Sequence, residues 1–127
     1  MPLDIAKTKS DSVVCLNLSG TLEIGNDTQR LTDLVKSHLD AGENQILLDF
    51  DGVRYIDSTG ISALIQIYNA ARETGGAMKL IRLTRRVHDV LQITRLSSVF
   101  EIYNDPEKAI RSFQTSPSEL GGELGSA

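Results

Sequence analysis

The sequence predicts an α/β fold: one domain built on a mixed sheet, with three parallel strands, an N-terminal edge strand and helices packed against it. Three observations predict it. Short apolar runs recur at Ser12–Leu18, the first of them rich in β-branched residues, at Ile46–Phe50 and at Met78–Leu83. Between them lie segments whose apolar residues follow the helical period, and the junctions carry residues that start or stop helices. Strand, helix, strand, helix, strand in that order implies parallel strands joined by right-handed crossovers.

Taken in chain order, Leu3–Lys9 alternates weakly and reads as an edge strand, paired antiparallel to Ser12–Leu18 through a turn at Ser10-Asp11. Asp27 is placed to cap a helix bearing Leu31, Leu34, Val35, His38 and Leu39, and Gly42 suits the position just past its end. After Ile46–Phe50, a helix opens at Ser58 with Ile61, Leu64, Ile65 and Tyr68 in helical spacing, and Gly75-Gly76 stops it. Thr84 caps a short helix with Val87, Val90 and Leu91 inward. Leu96, Val99 and Phe100 are expected to cover the core, and Asp105-Pro106-Glu107 opens a last helix with Ala109, Ile110 and Phe113.

The domain is expected to span residues 1–113. Residues 114–127 end in Ser, Pro and Gly with only two leucines, a composition that buries too little apolar surface to order itself and so reads as a flexible tail.

Composition narrows the function. A net charge of −4 and a pI near 5.1 lack the basic footprint of a nucleic-acid binder, and the absence of Trp removes the best base-stacking side chain. No apolar stretch approaches the ~20 residues that cross a bilayer. The N-terminus has no secretory pattern, so the chain is expected in the cytoplasm with no membrane partner. The single cysteine, Cys15, lies in an apolar run and reads as core packing.

The parallel topology brings the C-terminal strand ends to one edge of the sheet, where partners and ligands bind. The Gly20–Asn26 loop, the Asp51–Asp57 loop with Ser58, and the Leu83-Thr84 junction should meet there. Asp57-Ser58-Thr59-Gly60 has two local readings. Asp and Ser are common helix starts, so the run can be a plain cap. The plain cap is the stronger local reading, but a helix N-terminus also favours negative charge, so a phosphate on Ser58 is compatible with the fold. Asp57, and Asp51 if it projects the same way, would then repel that phosphate.

Other chemistry finds less support. Leu48–Val53 (LDFDGV) resembles the first motif of haloacid dehalogenase-like phosphatases, with Asp49 as nucleophile and Asp51 as general acid. The supporting groups are missing: Lys79 is the first lysine downstream, and no acidic pair follows a later strand to hold Mg²⁺. His38 and His88 fall on different helices, and no Cys or His cluster suggests zinc. Arg82, Arg85, Arg86 and Arg95 make a basic patch that reads as a solvated face. No catalytic residue, cofactor or metal is expected.

The run Val53–Ile61 (VRYIDSTGI) resembles the STAS domain family, and within it the bacterial anti-sigma factor antagonists. The likeness extends from about Leu3 to Phe113. It takes in Gly20-Thr21-Leu22-Glu23 after a strand, Leu48-Asp49-Phe50, and Gly75-Gly76 ahead of the next strand. It implies a protein-binding switch: Ser58 is phosphorylated by a serine kinase that is also the anti-sigma factor. Unmodified chain binds that kinase and frees sigma factor, and a metal-dependent serine phosphatase restores the unmodified form. Gly20, Glu23, Asp57, Ser58, Thr59, Gly60 and Ile61 are the implied partner-binding residues. Glu23 stands where the family has an aspartate, and Arg95 where it has a glycine. The alternative within the resemblance is a non-switching scaffold subunit of a signalling or transport assembly.

Removal of Ser116–Ala127 is expected to leave the melting temperature nearly unchanged, because few contacts would be lost. A clear fall in a thermal melt would contradict the tail assignment.

Overall fold

The computed structural model describes residues 3–114; the expected tail lies outside them. The elements follow in the order β1 (Asp4–Ser10), β2 (Val13–Leu22), α1 (Asn26–Asp40), β3 (Gln45–Ile56), α2 (Ser58–Glu73), β4 (Ala77–Ile81), α3 (Arg85–Ile93), a 3₁₀ turn (Leu96–Ser98), β5 (Glu101–Tyr103) and α4 (Pro106–Gln114). The sheet has the order β1-β2-β3-β4-β5, with β1 antiparallel to β2 and every other pair parallel. This is the expected α/β mixed sheet with one addition. The fourth parallel strand, β5, has three residues, too few to show a period-two pattern in sequence.

Both faces of the sheet are covered. Val14, Leu16, Leu18, Ile46, Leu48, Phe50, Met78 and Leu80 alternate onto one face and pack with Leu31, Val35, Leu64, Ile67, Val87 and Leu91 from α1, α2 and α3. The intervening Val13, Cys15, Leu47 and Ile81 point to the other face, where Ala109 and Phe113 of α4 cover them. Strands buried on both sides are why β2, β3 and β4 read as continuous apolar runs. Cys15 sits in that second cluster as a free thiol, and burial pushes its pKa up.

Lys79 also faces α4. Its ammonium is buried, donates to Ser112 Oγ (2.8 Å), lies 3.5 Å from the Glu101 carboxylate and sits 4.6 Å from the Phe113 ring centroid. A buried lysine needs such partners, and here they tie α4 to β4 and β5.

Several boundaries move. β2 runs on to Leu22 and β3 to Ile56, so Gly20–Leu22 and Asp51–Ile56 are strand where loops are expected. Pairing continues past two register shifts, through Ser19↔Gly52, Gly20↔Val53, Thr21↔Tyr55 and Leu22↔Ile56. A Cβ at Gly52 would stand 2.6 Å from Ser19 Cβ, so glycine there lets the bulged strands close up. The third expected strand ends at Ile81 instead of Leu83, because Arg82 turns to φ 52°.

Caps differ in detail. Gly25, not Asp27, precedes α1; the Asp27 carboxylate instead accepts the Leu3 N–H (3.0 Å) and pairs with Arg30. Thr84 does precede α3, but its hydroxyl donates to the Val53 carbonyl (2.9 Å) and not to the helix. Val99, expected over the core, is 45% exposed, and Ile65 of α2 is 36% exposed. His38 is buried at the end of α1 against Glu43 (2.9 Å), and His88 is exposed.

Arg95 occupies the left-handed region at φ 63° between α3 and the 3₁₀ turn, with its side chain in solvent. The turn forms without the glycine implied by the family pattern, at a backbone cost of ~1 kcal/mol. Arg95→Gly is expected to raise stability by up to about 1 kcal/mol. Urea unfolding, with an unchanged slope and a higher midpoint, is the readout; a lower midpoint would mean that the arginine side chain contributes more than its backbone costs.

Candidate functional site

The site is built where β2 and β3 end side by side. Asp57 leaves β3 in an extended conformation and caps α2, its carboxylate accepting the Gly60 N–H at 2.9 Å. The other carboxylate oxygen accepts the Ile24 N–H at 3.0 Å, from the loop after β2. The Asp57 N–H donates to the Leu22 carbonyl at 3.1 Å. One residue therefore ties the end of β2, the end of β3 and the start of α2. Partial burial alone would push the Asp57 carboxyl up. The N–H groups of Gly60, Ile24 and Thr59 outweigh it and hold its pKa below the usual value.

Gly60 has a steric reason. A Cβ there would lie 2.3 Å from the Leu22 carbonyl oxygen and 2.8 Å from Ile56 Cγ1. Only glycine lets the first turn of α2 sit this close to the strand ends.

Ser58 is the first residue of α2 and is exposed. Its hydroxyl has no hydrogen-bond partner among the described residues, since the capping bonds belong to Asp57. The helix start supplies a favourable field for added negative charge. The Ile24, Thr59 and Gly60 donors are already engaged by Asp57, so a phosphate on Ser58 would project outward with its charge on the surface.

The other expected residues divide. Thr59 is half-buried and lines a groove of about 120 Å³ between α1 and α2, with Gly25, Thr28, Gln29, Ser62 and Gln66. Ile61 is half-buried against the core, its N–H on the Asp57 carbonyl at 3.0 Å. Glu23 stands in the loop beside them; its carboxylate accepts the Thr21 hydroxyl at 3.2 Å and its carbonyl accepts the Thr28 hydroxyl. Gly20 is set apart: it is buried within β2, paired with Val53. Thr84 reaches the same strand end through Val53.

Ile24 belongs to no motif of the sequence. It is 79% exposed, and its backbone is held by Asp57. An isoleucine among Glu, Gly and Asn in a loop was the available signal.

The phosphatase-like run does different work. Asp49 is buried and accepts two hydrogen bonds from one edge of the Arg82 guanidinium, from Nε at 3.3 Å and from Nη2, and also accepts the Asp51 N–H at 3.0 Å. A carboxylate so occupied is not free for nucleophilic attack. Among the described residues, no group of three acidic, His or Cys side chains is placed to hold a metal ion, and no helix is long and apolar enough to cross a membrane.

Asp57→Ala is expected to cost about 1–2 kcal/mol through the lost cap and bridge. Gly60→Ala should cost at least as much, about 1–3 kcal/mol, by pushing α2 off Leu22. Because the Asp57 pKa is lowered in the fold, its contribution is full above the ordinary value of 3.8 and is lost as pH falls through the folded-state value. Chemical denaturation at pH 7 and in acid reads both effects; a wild-type advantage over Asp57→Asn that persisted undiminished far below pH 3.8 would contradict the pH assignment.

Comparison with known proteins places this geometry. The STAS domain model matches residues 4–109. BtrV of Bordetella bronchiseptica, named provisionally as an anti-sigma factor antagonist, is 26% identical over 113 residues, covering 89% of this chain and 97% of its own. The anti-sigma-B factor antagonist of Bacillus subtilis is 22% identical over 111 residues, covering 87% of this chain and 100% of its own. A Thermotoga maritima protein of the same provisional name superposes with a TM-score of 0.81 at 25% identity, over 87% of this chain and 94% of that one. SpoIIAA of Bacillus, solved in a phosphorylated form, shares the fold with a TM-score of 0.68 at 16% identity, over 86% of this chain and 98% of that one. The chain belongs to the STAS domain family, and its relatives there are anti-sigma factor antagonists.

Proposed function

We propose that this chain is itself an anti-sigma factor antagonist: a cytoplasmic, non-enzymatic binding module whose partner is a serine kinase that doubles as an anti-sigma factor. Unmodified chain binds the kinase and releases sigma factor. Phosphorylation of Ser58 ends the binding, and a metal-dependent serine phosphatase restores it.

The observation that carries this reading is the isolation of the Ser58 hydroxyl. It is exposed at the start of α2 and bonded to nothing described, while Asp57 does the capping. A serine needed only as a cap would spend its oxygen on the helix N–H groups. Phosphate adds about −1.5 to −2 charges at pH 7. The helix start accommodates that charge, so the fold survives while a docked partner faces an added charge and its desolvation.

Ser58→Ala is expected to fold with unchanged stability, to accept no phosphate from the kinase with ATP, and to keep binding it. Ser58→Asp should fold as well and bind at least several-fold more weakly, since one carboxylate only partly mimics phosphate. Peptide mapping after kinase treatment, with affinities measured on both variants, decides it. Phosphate appearing only at Thr59 or elsewhere, or equal affinity for Ser58→Asp and wild type, would overturn the switch.

A further inference from the structure

We infer that two copies of this chain associate by exchanging tails: the Glu119-Leu120 and Glu123-Leu124 pairs of one chain seat in a groove that α3 and Tyr55 form on the other. The groove shares no lining residue with the start of α2, so the inference stands apart from the Ser58 reading.

Tyr55, Val90 and Ile93 floor an open groove of about 480 Å³, bordered by Arg85, Arg86 and Asp89. It lies where β3 outruns its neighbour. β4 pairs no further along β3 than Asp49, and α3 takes its place beside the end of β3, where Thr84 holds the Val53 carbonyl. Val87 and Leu91 of α3 point into the core, which leaves Arg86, Val90 and Ile93 as one stripe on the other side of the helix. Ile93 is 82% exposed and Tyr55 40%. Apolar side chains gathered in one exposed place mark a contact surface, as the same side chains scattered singly do not.

The border fixes the sign of the occupant. Arg85 and Arg86 stand in the first turn of α3, where cations oppose the helix dipole. Neither has an ion pair or hydrogen bond among the described residues. Asp89, the one acid of the border, has His88 beside it at 3.9 Å. An acidic segment carrying large apolar side chains therefore matches the groove in both charge and polarity. Residues 115–127 have that composition. They hold Glu119-Leu120 and Glu123-Leu124, the same pair repeated four residues on, and no lysine or arginine.

Geometry gives the segment to a second copy. The last described residue, Gln114, bonds Asp11, and Gln45 holds the Phe113 carbonyl, so α4 ends where β2 and β3 begin. The groove is at the other end of the sheet. From the rung Val14↔Ile46 to the rung Thr21↔Tyr55 is seven residues of β2, about 23 Å at ~3.3 Å each. It is also on the opposite face, since α3 and α4 cover different sides. Leu120 is six residues beyond Gln114, at most about 22 Å of fully extended chain. The first Glu-Leu pair falls short of its own groove, and both pairs together reach only a partner's. Two such contacts related by a two-fold axis close into a dimer. Because the contact is between molecules, a dilute chain keeps its melting temperature when the tail is removed.

The test is sedimentation of the full chain over a concentration series up to about 1 mM, since so small a contact is expected to be weak. The average mass should rise with concentration, and the rise should shrink as salt is added. Leu120→Ser with Leu124→Ser, Ile93→Ser alone, and Arg85→Glu with Arg86→Glu should each weaken association about tenfold or more. Glu119→Arg with Glu123→Arg should weaken it as well, and mixing that tail variant with the Arg85→Glu, Arg86→Glu chain should restore a mixed dimer. Arg85, Arg86 and Ile93 are solvent-exposed, and circular dichroism verifies the folding of every variant. A wild type that stays monomeric through the series overturns the inference. So does association that survives the tail substitutions, or a mixture of the two charge-reversed chains that fails to recover it. Tail substitutions that shift the Tyr55 and Ile93 amide signals of a dilute, monomeric chain would put the tail in its own groove and overturn the exchange. Each of these outcomes leaves the Ser58 reading untouched.

Discussion

Asp57 is the constraint on which the functional edge depends. Its backbone N–H closes the last rung between β2 and β3, and its two carboxylate oxygens fix the start of α2 and the loop after β2. Every residue of interest lies within a few positions of one of those three anchor points. Backbone donors drawn from separate elements satisfy a carboxylate better than solvent-facing side chains do, because they carry no rotamer entropy to lose. Gly60 makes the arrangement possible by allowing α2 to touch the Leu22 carbonyl. The consequence is a division of labour: Asp57 holds the architecture, and Ser58 is left without a structural task.

The sheet behind this edge is stabilised differently on its two sides. Three helices cover one face with aliphatic side chains. On the other, α4 covers only part, and polar pairs add to its apolar contacts. Asp49 with Arg82, and Lys79 with Ser112 and Glu101, sit on that side of β3 and β4. Buried ion pairs contribute less to stability than well-packed apolar groups, yet removing one partner leaves an uncompensated charge. Asp49, the first acid of the phosphatase-like run, belongs to this framework; Asp51 is exposed and joins it only through its N–H.

How much of this was legible in the chain depends on the range of the interaction. The apolar runs, the 3.6-residue spacing of α1 and α2, and Asp57-Ser58 at a helix start are local patterns, and they were readable. The fold class followed from their order. Contacts between distant positions were not. The Ile24–Asp57 bond joins residues 33 apart, which is why the exposed isoleucine drew no notice. Asp27 and Thr84 have the right chemistry for caps, but Leu3 and Val53 compete for their side chains. β2 and β3 run past their expected ends because glycines at the bulges let pairing resume, and β5 is too short to show a period. Gly20 reads as the start of a loop, yet it is buried within β2, because pairing with Val53 resumes past the first register shift.

The position of Cys15 offers a way to watch one element move. Its thiol lies under Ala109 and Phe113 of α4, shielded from reagents while that helix is docked. α4 is nine residues long and terminal in the described fold, the kind of segment that opens before the rest of a domain. Since Cys15 is the chain's single cysteine, its rate of alkylation under native conditions is a clock for the undocking of α4. Compared with the rate expected from global unfolding, it separates a helix that breathes from a domain that melts as one.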